Sequence, residues 1–313
     1  MIHSRSIRHS ASPARPAASD RLETTALAIA TPTPPTPSPT RDPAAGTPAR
    51  PKSTARRNAV LRGLGGALGL ILLLEFVSRS GLVNTDFLPP FSSVLVKAVT
   101  LWGDEVFRAD VLSTLLTYVY GMLIACAIAV PVGVVLGMFR PAYRGARAIV
   151  ELMRPIPPVA LVPLVLLVLG AGLEMKLVIV VFAAIWPIMF NTLYGVHDVD
   201  PYAKEMARSF GVSRFGVIRR VVIPSAAPFV MTGIRIASSI ALIVVITVEL
   251  IAGGAQGIGA FISRERAFSD AESYLAVLAA TVTAGLLGLV INLGIGWLER
   301  RFFGWDSTAR GGA

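Results

Sequence analysis

The chain has 313 residues, of which 54% are hydrophobic and 15% charged, yet its formal net charge is +10. Soluble domains carry roughly 25% charged residues. This composition therefore excludes an ordinary soluble enzyme, a disulfide-stapled secreted domain and a disordered regulator. The single cysteine, Cys126, lies in an apolar run, offers no disulfide or zinc framework, and reads as a small buried hydrophobe.

Much of the charge sits at the start. Residues 1–58 hold nine Lys/Arg against Asp20, Glu23 and Asp42, which accounts for +6 of the +10. Ten of the 22 prolines fall in the same stretch, concentrated in Thr31–Pro39. Proline lacks an N–H and locks φ, and low hydrophobicity with net charge prevents a packed core. An extended, disordered basic arm is expected over 1–58. A transit peptide is the less favoured reading of its Arg/Ser-rich start.

From residue 59 the apolar runs reach the roughly 20 residues that a membrane span needs. Six spans are expected, at about 59–77, 111–138, 148–170, 176–196, 228–252 and 274–298. The predicted fold is thus an all-α polytopic membrane protein, with a transmembrane domain over 59–305 and a short tail over 306–313. No small-x-small cleavage site follows the first run, so an uncleaved span is favoured over a signal peptide. Orientation follows the Lys/Arg excess. The 139–147 loop carries Arg140, Arg144 and Arg147 without an acid, and the 197–223 loop carries Lys204, Arg208, Arg214, Arg219 and Arg220. Both loops and both termini are therefore expected in the cytoplasm. Lys176 and Asp110 are assigned to loops on the other side.

These spans are not plain anchors. The third holds Pro155, Pro157, Pro158 and Pro163, and each internal proline frees a carbonyl that hydrocarbon cannot satisfy. Pro187 repeats the theme in the fourth, followed by Asn191 and Thr192. Gly121, Ala125, Ala129, Gly133 and Gly137 recur every fourth residue in the second, a stripe suited to close helix packing. Glu249 is the one acid deep in an apolar run. It either lines a pathway or marks a helix end before the glycine-rich 253–259 segment. Pro155, Pro157, Pro158, Asn191, Thr192 and Glu249 are the pathway candidates.

The 197–223 loop is the most informative stretch. Asp200-Pro201 is a helix start, and Gly211 can end that helix in the left-handed conformation. Ser213 can cap a second helix through Arg220, closed by Pro224. Met206 and Phe210 share one face. Two short helices bent at a glycine make a docking knob for a soluble partner, whereas a loop lying on lipid headgroups is the blander reading. Glu205-Met206-Ala207, then Gly211 four residues on, then Val221-Val222-Ile223-Pro224 resembles the EAA motif of ABC-importer permeases. Met206, Val221 and Ile223 depart conservatively from its pattern. Segments such as Arg154–Pro158, Phe190–Thr192, Val199–Pro201 and Leu298–Arg301 resemble the nitrate/sulfonate/taurine-type subfamily.

The resemblance implies that Glu205, Met206, Ala207, Gly211, Ile223 and Pro224 couple the chain to an ABC ATPase subunit, two copies of which are expected. It further implies a second permease copy, an extracytoplasmic solute-binding protein and a bacterial inner-membrane location. No phosphate-binding Gly-x-x-x-x-Gly-Lys-Ser/Thr loop occurs in the sequence, so ATP hydrolysis is expected on the partner and no enzyme activity here. No cofactor, metal or nucleic-acid partner is expected. An ion-coupled secondary transporter or channel is the alternative. Such carriers use several buried acids or histidines, and here Glu249 stands nearly alone.

Overall fold

The computed structural model describes residues 52–80, 89–254, 256–268 and 270–303, and among them regular structure is helical throughout. Contacts divide the chain into Met1–Ala59 and Val60–Ala313. In the first unit the described residues, 52–59, belong to the start of helix α1 (Lys52–Arg79). The helix thus starts seven residues before the expected 59, because no proline occurs between Pro51 and Pro89 and Ala55, Arg56 and Arg57 are good helix formers. The rest of the expected arm, over 1–51, and the tail at 306–313 lie outside the described residues.

Chain order continues with α2 (Phe91–Leu101), α3 (Glu105–Met138), α4 (Arg140–Met153), a 3₁₀ turn (Pro158–Leu161), α5 (Val162–Leu169) and α6 (Leu173–His197). Then come α7 (Pro201–Ser209), α8 (Arg214–Val217), a π-helical turn (Ile218–Val222), α9 (Ile223–Ala252), α10 (Ile258–Glu265) and α11 (Ala271–Phe303). Five helical runs among the described residues are long and apolar enough to cross a membrane: Leu61–Arg79, Glu105–Met138, Leu173–His197, Arg214–Ala252 and Ala271–Arg301.

The expected third span, 148–170, is not one helix. It is broken into the end of α4, the 3₁₀ turn and α5. Pro155, Pro157 and Pro158 remove three of four successive chances of an i→i−4 bond and disfavour the helical region for the residues before them. The expected 139–147 loop is itself helical, because Pro141 sits in the first turn of α4 where its missing N–H does no harm. Two other spans start earlier than hydropathy suggests, since polar caps open them. Asp104 accepts from the Val106 N–H at 3.0 Å to begin α3. Asp270 accepts from the Ser273 N–H at 2.7 Å to begin α11, and that bond holds its carboxyl below the ordinary aspartate range.

Helices α3, α6 and α9 form the centre of the bundle, packing a cluster that includes Ala125, Ile179, Ala184, Ile188, Ala241 and Val245. A second cluster joins α2, α10 and α11 to the start of α3, with the Phe107 and Phe261 rings edge to face at 4.9 Å. Large apolar side chains left outside, such as Leu72, Phe76, Leu123 and Leu293, are the surface hydrocarbon covers. Cys126 is half-buried against the central cluster as a free thiol.

The small-residue stripe on α3 packs directly on α6. A Cβ on Gly133 would stand 2.7 Å from the Thr192 Cβ, and one on Gly137 would stand 2.7 Å from the Val196 Cβ. Gly233 of α9 faces Asn191 and the Pro187 carbonyl equally closely. Backbone-to-backbone approach of this kind is what small residues permit in a bilayer. Gly133→Val is therefore expected to pry α3 from α6 and destabilise the solubilised protein by about 3 kcal/mol, read as a lowered thermal midpoint. A variant that melts with wild type would refute the packing role.

Candidate functional site

Two polar constructions stand out from the apolar bundle, one at each end. At one end, residues 197–223 fold as local chemistry dictates. The Asp200 side chain caps α7 through the Tyr202 N–H at 2.9 Å, with Pro201 in the first turn. The helix stops at Gly211, whose φ of 76° is the left-handed region. There the Gly211 N–H bonds the Arg208 carbonyl and the Val212 N–H bonds the Ala207 carbonyl, at 2.9 and 3.1 Å, which is the Schellman closure. Ser213 Oγ then accepts from the Gly216 N–H to start α8.

The second expected helix differs from the reading to Arg220. It lasts one turn, widens into the π turn and runs on into α9 without a stop at Pro224. Proline at 224 would press its ring on the carbonyl four residues back, and the wider turn removes that clash. The Ile223 N–H bonds the Ile218 carbonyl instead, five residues back. The knob is thus rigidly continuous with a membrane-length helix.

The knob presents Tyr202, Met206, Phe210 and Phe215 outward, with Phe210 80% exposed. Glu205, Gly211, Ile223 and Pro224 are exposed beside them, while Ala207 is half-buried. Ala207 and Val212 pack against the cluster of Val196, Val199, Val217, Val222 and Ala226 that roots the knob in α6 and α9. Lys204 lies against this base with its Nζ 3.4 Å from the Val196 carbonyl. Burial pushes its ammonium below the ordinary lysine range, Arg208 adds repulsion and Asp200 opposes both. Four large exposed apolar side chains around a capped glycine bend suit a protein interface better than solvent.

At the opposite end, a buried ionic latch ties α3, α6, α9 and α10 together. Glu249, fully buried, accepts from Lys176 Nζ at 3.2 Å, Thr114 Oγ1 at 2.8 Å and the Gly259 N–H at 3.2 Å. Lys176 also donates to the Gln256 carbonyl, and Thr114 Oγ1 accepts from the Ile258 N–H at 2.8 Å. Asp110, 1% exposed, accepts from the Gly257 N–H at 2.7 Å and from Arg264. Glu249 therefore holds a helix end, and every oxygen of the two carboxylates has a donor.

Lys176 and Asp110 do not lie in outer loops, as the sequence suggests; they lie inside α6 and α3, buried. The pathway candidates do not converge on one site. Thr192 is fully buried with its hydroxyl on the Ile188 carbonyl at 2.7 Å, and Asn191 is half-buried with its amide on the Pro187 carbonyl at 2.8 Å. Pro155 and Pro157 are exposed, Pro158 is half-buried, and Arg154 beside them stacks 4.8 Å over Phe190. Glu249 lies 16 residues along α9 from Gly233, which faces Asn191, so the two levels are about 24 Å apart.

Comparison with known proteins gives the family of this bundle. Residues 129–304 match the family model of the "binding-protein-dependent transport system inner membrane component". The taurine transport system permease protein of Escherichia coli K12 is 30% identical over 78% of this chain and 90% of its own length. The bicarbonate transport system permease protein of Synechococcus elongatus is 26% identical over 78% of this chain and 89% of its own. A bacterial alginate ABC transporter, crystallised with an alginate pentasaccharide-bound periplasmic protein, contains a chain that shares the fold. The TM-score is 0.54 at 19% identity, over 80% of this chain and 96% of that one. A buried carboxylate wholly engaged in packing and a family of importers leave the ion-coupled alternative without support. The chain belongs to the family of inner membrane components of binding-protein-dependent transport systems, and it is a permease component of an ABC importer.

Proposed function

We propose that two copies of this chain form the membrane pathway for a small anionic or zwitterionic solute, driven by a pair of ABC ATPase subunits docked on the 197–223 knobs. The exposed apolar knob, locked by the Gly211 bend and continuous with α9, carries this reading. In it, Tyr202, Met206 and Phe210 enter a cleft of the ATPase, and Glu205 and Gly211 set the register. Ala207 roots the knob, while Ile223 and Pro224 pass its motion into α9. The Lys/Arg excess on the 197–223 loop supports placing that end, with both termini, in the cytoplasm of a bacterium. The extracytoplasmic binding protein then meets the end that carries the latch. The chain divides in use into a basic arm (1–58), the transmembrane domain (59–305) and a short tail (306–313). Relatives named for taurine and bicarbonate support a sulfonate, taurine, nitrate or bicarbonate class of solute.

Closure of the ATPase pair on ATP rocks the bundle between two states. Taking a population from 1:99 to 99:1 needs roughly 5.5 kcal/mol of differential contact energy. Nucleotide chemistry on the partner supplies it, and the broken segment at Pro155, Pro157 and Pro158 gives the bundle a place to flex.

Gly211→Asp tests the coupling. Open space surrounds Gly211, and aspartate is among the few residues that visit the left-handed region, so the fold should persist while a charge enters the interface. Co-purified with its ATPase in mild detergent, the variant should insert normally yet lose about tenfold or more of the ATP hydrolysis stimulated by loaded binding protein. Uptake that follows a proton gradient without ATP would overturn the import reading.

A further inference from the structure

Between α9 and α11, midway along both helices, lies a cleft of about 490 Å³. That volume is in the range of small-molecule sites. The cleft exists because α11 is notched: Gly288 touches Leu242, where a Cβ would be 3.0 Å from Cδ2, while Gly285 has nothing within 4 Å. Its walls are apolar except for Ser238, Ser239 and Thr247 on α9 and Asn292 on α11. Ser238 is occupied by the Tyr118 hydroxyl at 2.6 Å, and the Thr247 hydroxyl donates to the Ile243 carbonyl at 2.7 Å. Ser239 and Asn292 are exposed.

An exposed amide and hydroxyl at the middle of membrane-length helices are costly against hydrocarbon and mark a watered route or a bound polar group. Among the described residues, a charged pair lies just beyond the cleft's lining. Arg235 lies three and four residues before Ser238 and Ser239, hence on the same helix face. It lies beyond the lining residues, toward the knob, and pairs with Glu299 of α11. The guanidinium sits over the buried Gly296, where a Cβ would be 3.1 Å from Nη2. Its Nε is buried and has no hydrogen-bond partner. The Arg235 side chain is nonetheless 43% exposed, and a cation held by a single carboxylate, with a hydroxyl and an amide beyond it, is arranged to receive the oxygens of a small anion.

We propose that the α9–α11 cleft is a solute-holding site for a small oxyanion such as a sulfonate. Ser239 and Asn292 supply its neutral hydrogen bonds, and Arg235 supplies its charge at the exit end by sharing its guanidinium between Glu299 and the solute. For its ligand class and direction of travel the site rests on the import reading above. The site itself is a claim about water and anion access to named positions, which can be measured without transport.

In a Cys126→Ala background, Ser239→Cys and Asn292→Cys are introduced into the assembled transporter in proteoliposomes. They are treated with the anionic sulfonatoethyl methanethiosulfonate or its cationic trimethylammonioethyl counterpart. Rates are normalised to each reagent's reaction with a free thiol. The anionic reagent should modify both positions about tenfold faster than Leu293→Cys, which is exposed on α11 outside the cleft. Added ethanesulfonate should slow that reaction. The preference for the anionic reagent should disappear in Arg235→Gln and survive in Arg235→Lys.

Absence of modification at both positions means that lipid or the second copy fills the cleft, and overturns the site. Modification with no charge preference, or with a preference indifferent to Arg235, overturns the anion assignment. Binding-protein-stimulated ATP hydrolysis, measured on the same vesicles, reads the import function separately. Its loss alongside intact, Arg235-dependent labelling removes the importer reading and leaves the site standing.

Discussion

Lys176→Met should unfold the solubilised chain at a temperature roughly 10 °C below wild type, although it replaces a charged group by an apolar one inside a membrane protein. The lysine side chain is 6% exposed and its partner Glu249 is not exposed at all. Removing the cation leaves a buried carboxylate with only Thr114 and the Gly259 N–H for company. Breaking a buried pair from one side costs about 3–5 kcal/mol, and each kcal/mol moves a domain of this size by about 2–4 °C. The double variant Lys176→Met/Glu249→Gln should recover most of the loss, because a neutral amide still accepts from Thr114 and Gly259. A coupling free energy of about 2 kcal/mol or more between the two sites is expected from the cycle. Two losses that merely add would show that the pair does not act as a unit. By contrast, the Arg264 side chain is 41% exposed, so solvent screens its bond to Asp110 and its removal should cost less.

The fold of the 197–223 knob was legible in the sequence because its grammar is local. Asp200-Pro201, Gly211 and Ser213 act on backbone groups within three or four residues, and each sits in the structure where capping chemistry puts it. The latch was not legible, for the opposite reason. Glu249 meets Lys176, Thr114 and the Gly259 N–H at sequence separations of 73, 135 and 10. Asp110 meets Gly257 across 147 residues. A hydropathy window sees Lys176 only as a charge beside Glu174 at the edge of an apolar run, and so assigns it to a loop. The third span differs in another way: the proline break was legible, and Pro155, Pro157 and Pro158 split the segment into α4, a 3₁₀ turn and α5, but where each piece begins depends on hydrogen bonding that composition does not weigh. Pro224 misled in the other direction. Proline reads as a stop, yet a π turn just before it lets the helix continue. The signal that would have pointed to the latch is Glu249, lone in its apolar run and in need of a cation, with Lys176 at the edge of another run to supply it.

Gly257→Ala should prevent recovery of folded protein rather than lower its stability by a measurable step. At this position φ is 134°, a region that residues with a Cβ rarely adopt. The added Cβ would also fall on the Glu249 carboxylate, inside van der Waals contact with its carbon and with Oε1. Glu249 has no freedom to retreat, since Lys176, Thr114 and Gly259 fix it from three sides. The Gly257 N–H is itself bound to Asp110 at 2.7 Å, so the loop cannot turn away without exposing a buried carboxylate. Backbone strain of about 1–3 kcal/mol therefore adds to the loss of both carboxylate sites, and the sum approaches the whole stability of a typical domain. Gly145→Ala is the matched control, because Gly145 lies within α4 with nothing near it, where alanine favours the helix. Membrane yield and monodispersity after detergent extraction distinguish the two. Wild-type recovery of Gly257→Ala would mean that the loop reaches α10 by another route and that the latch does not hold it.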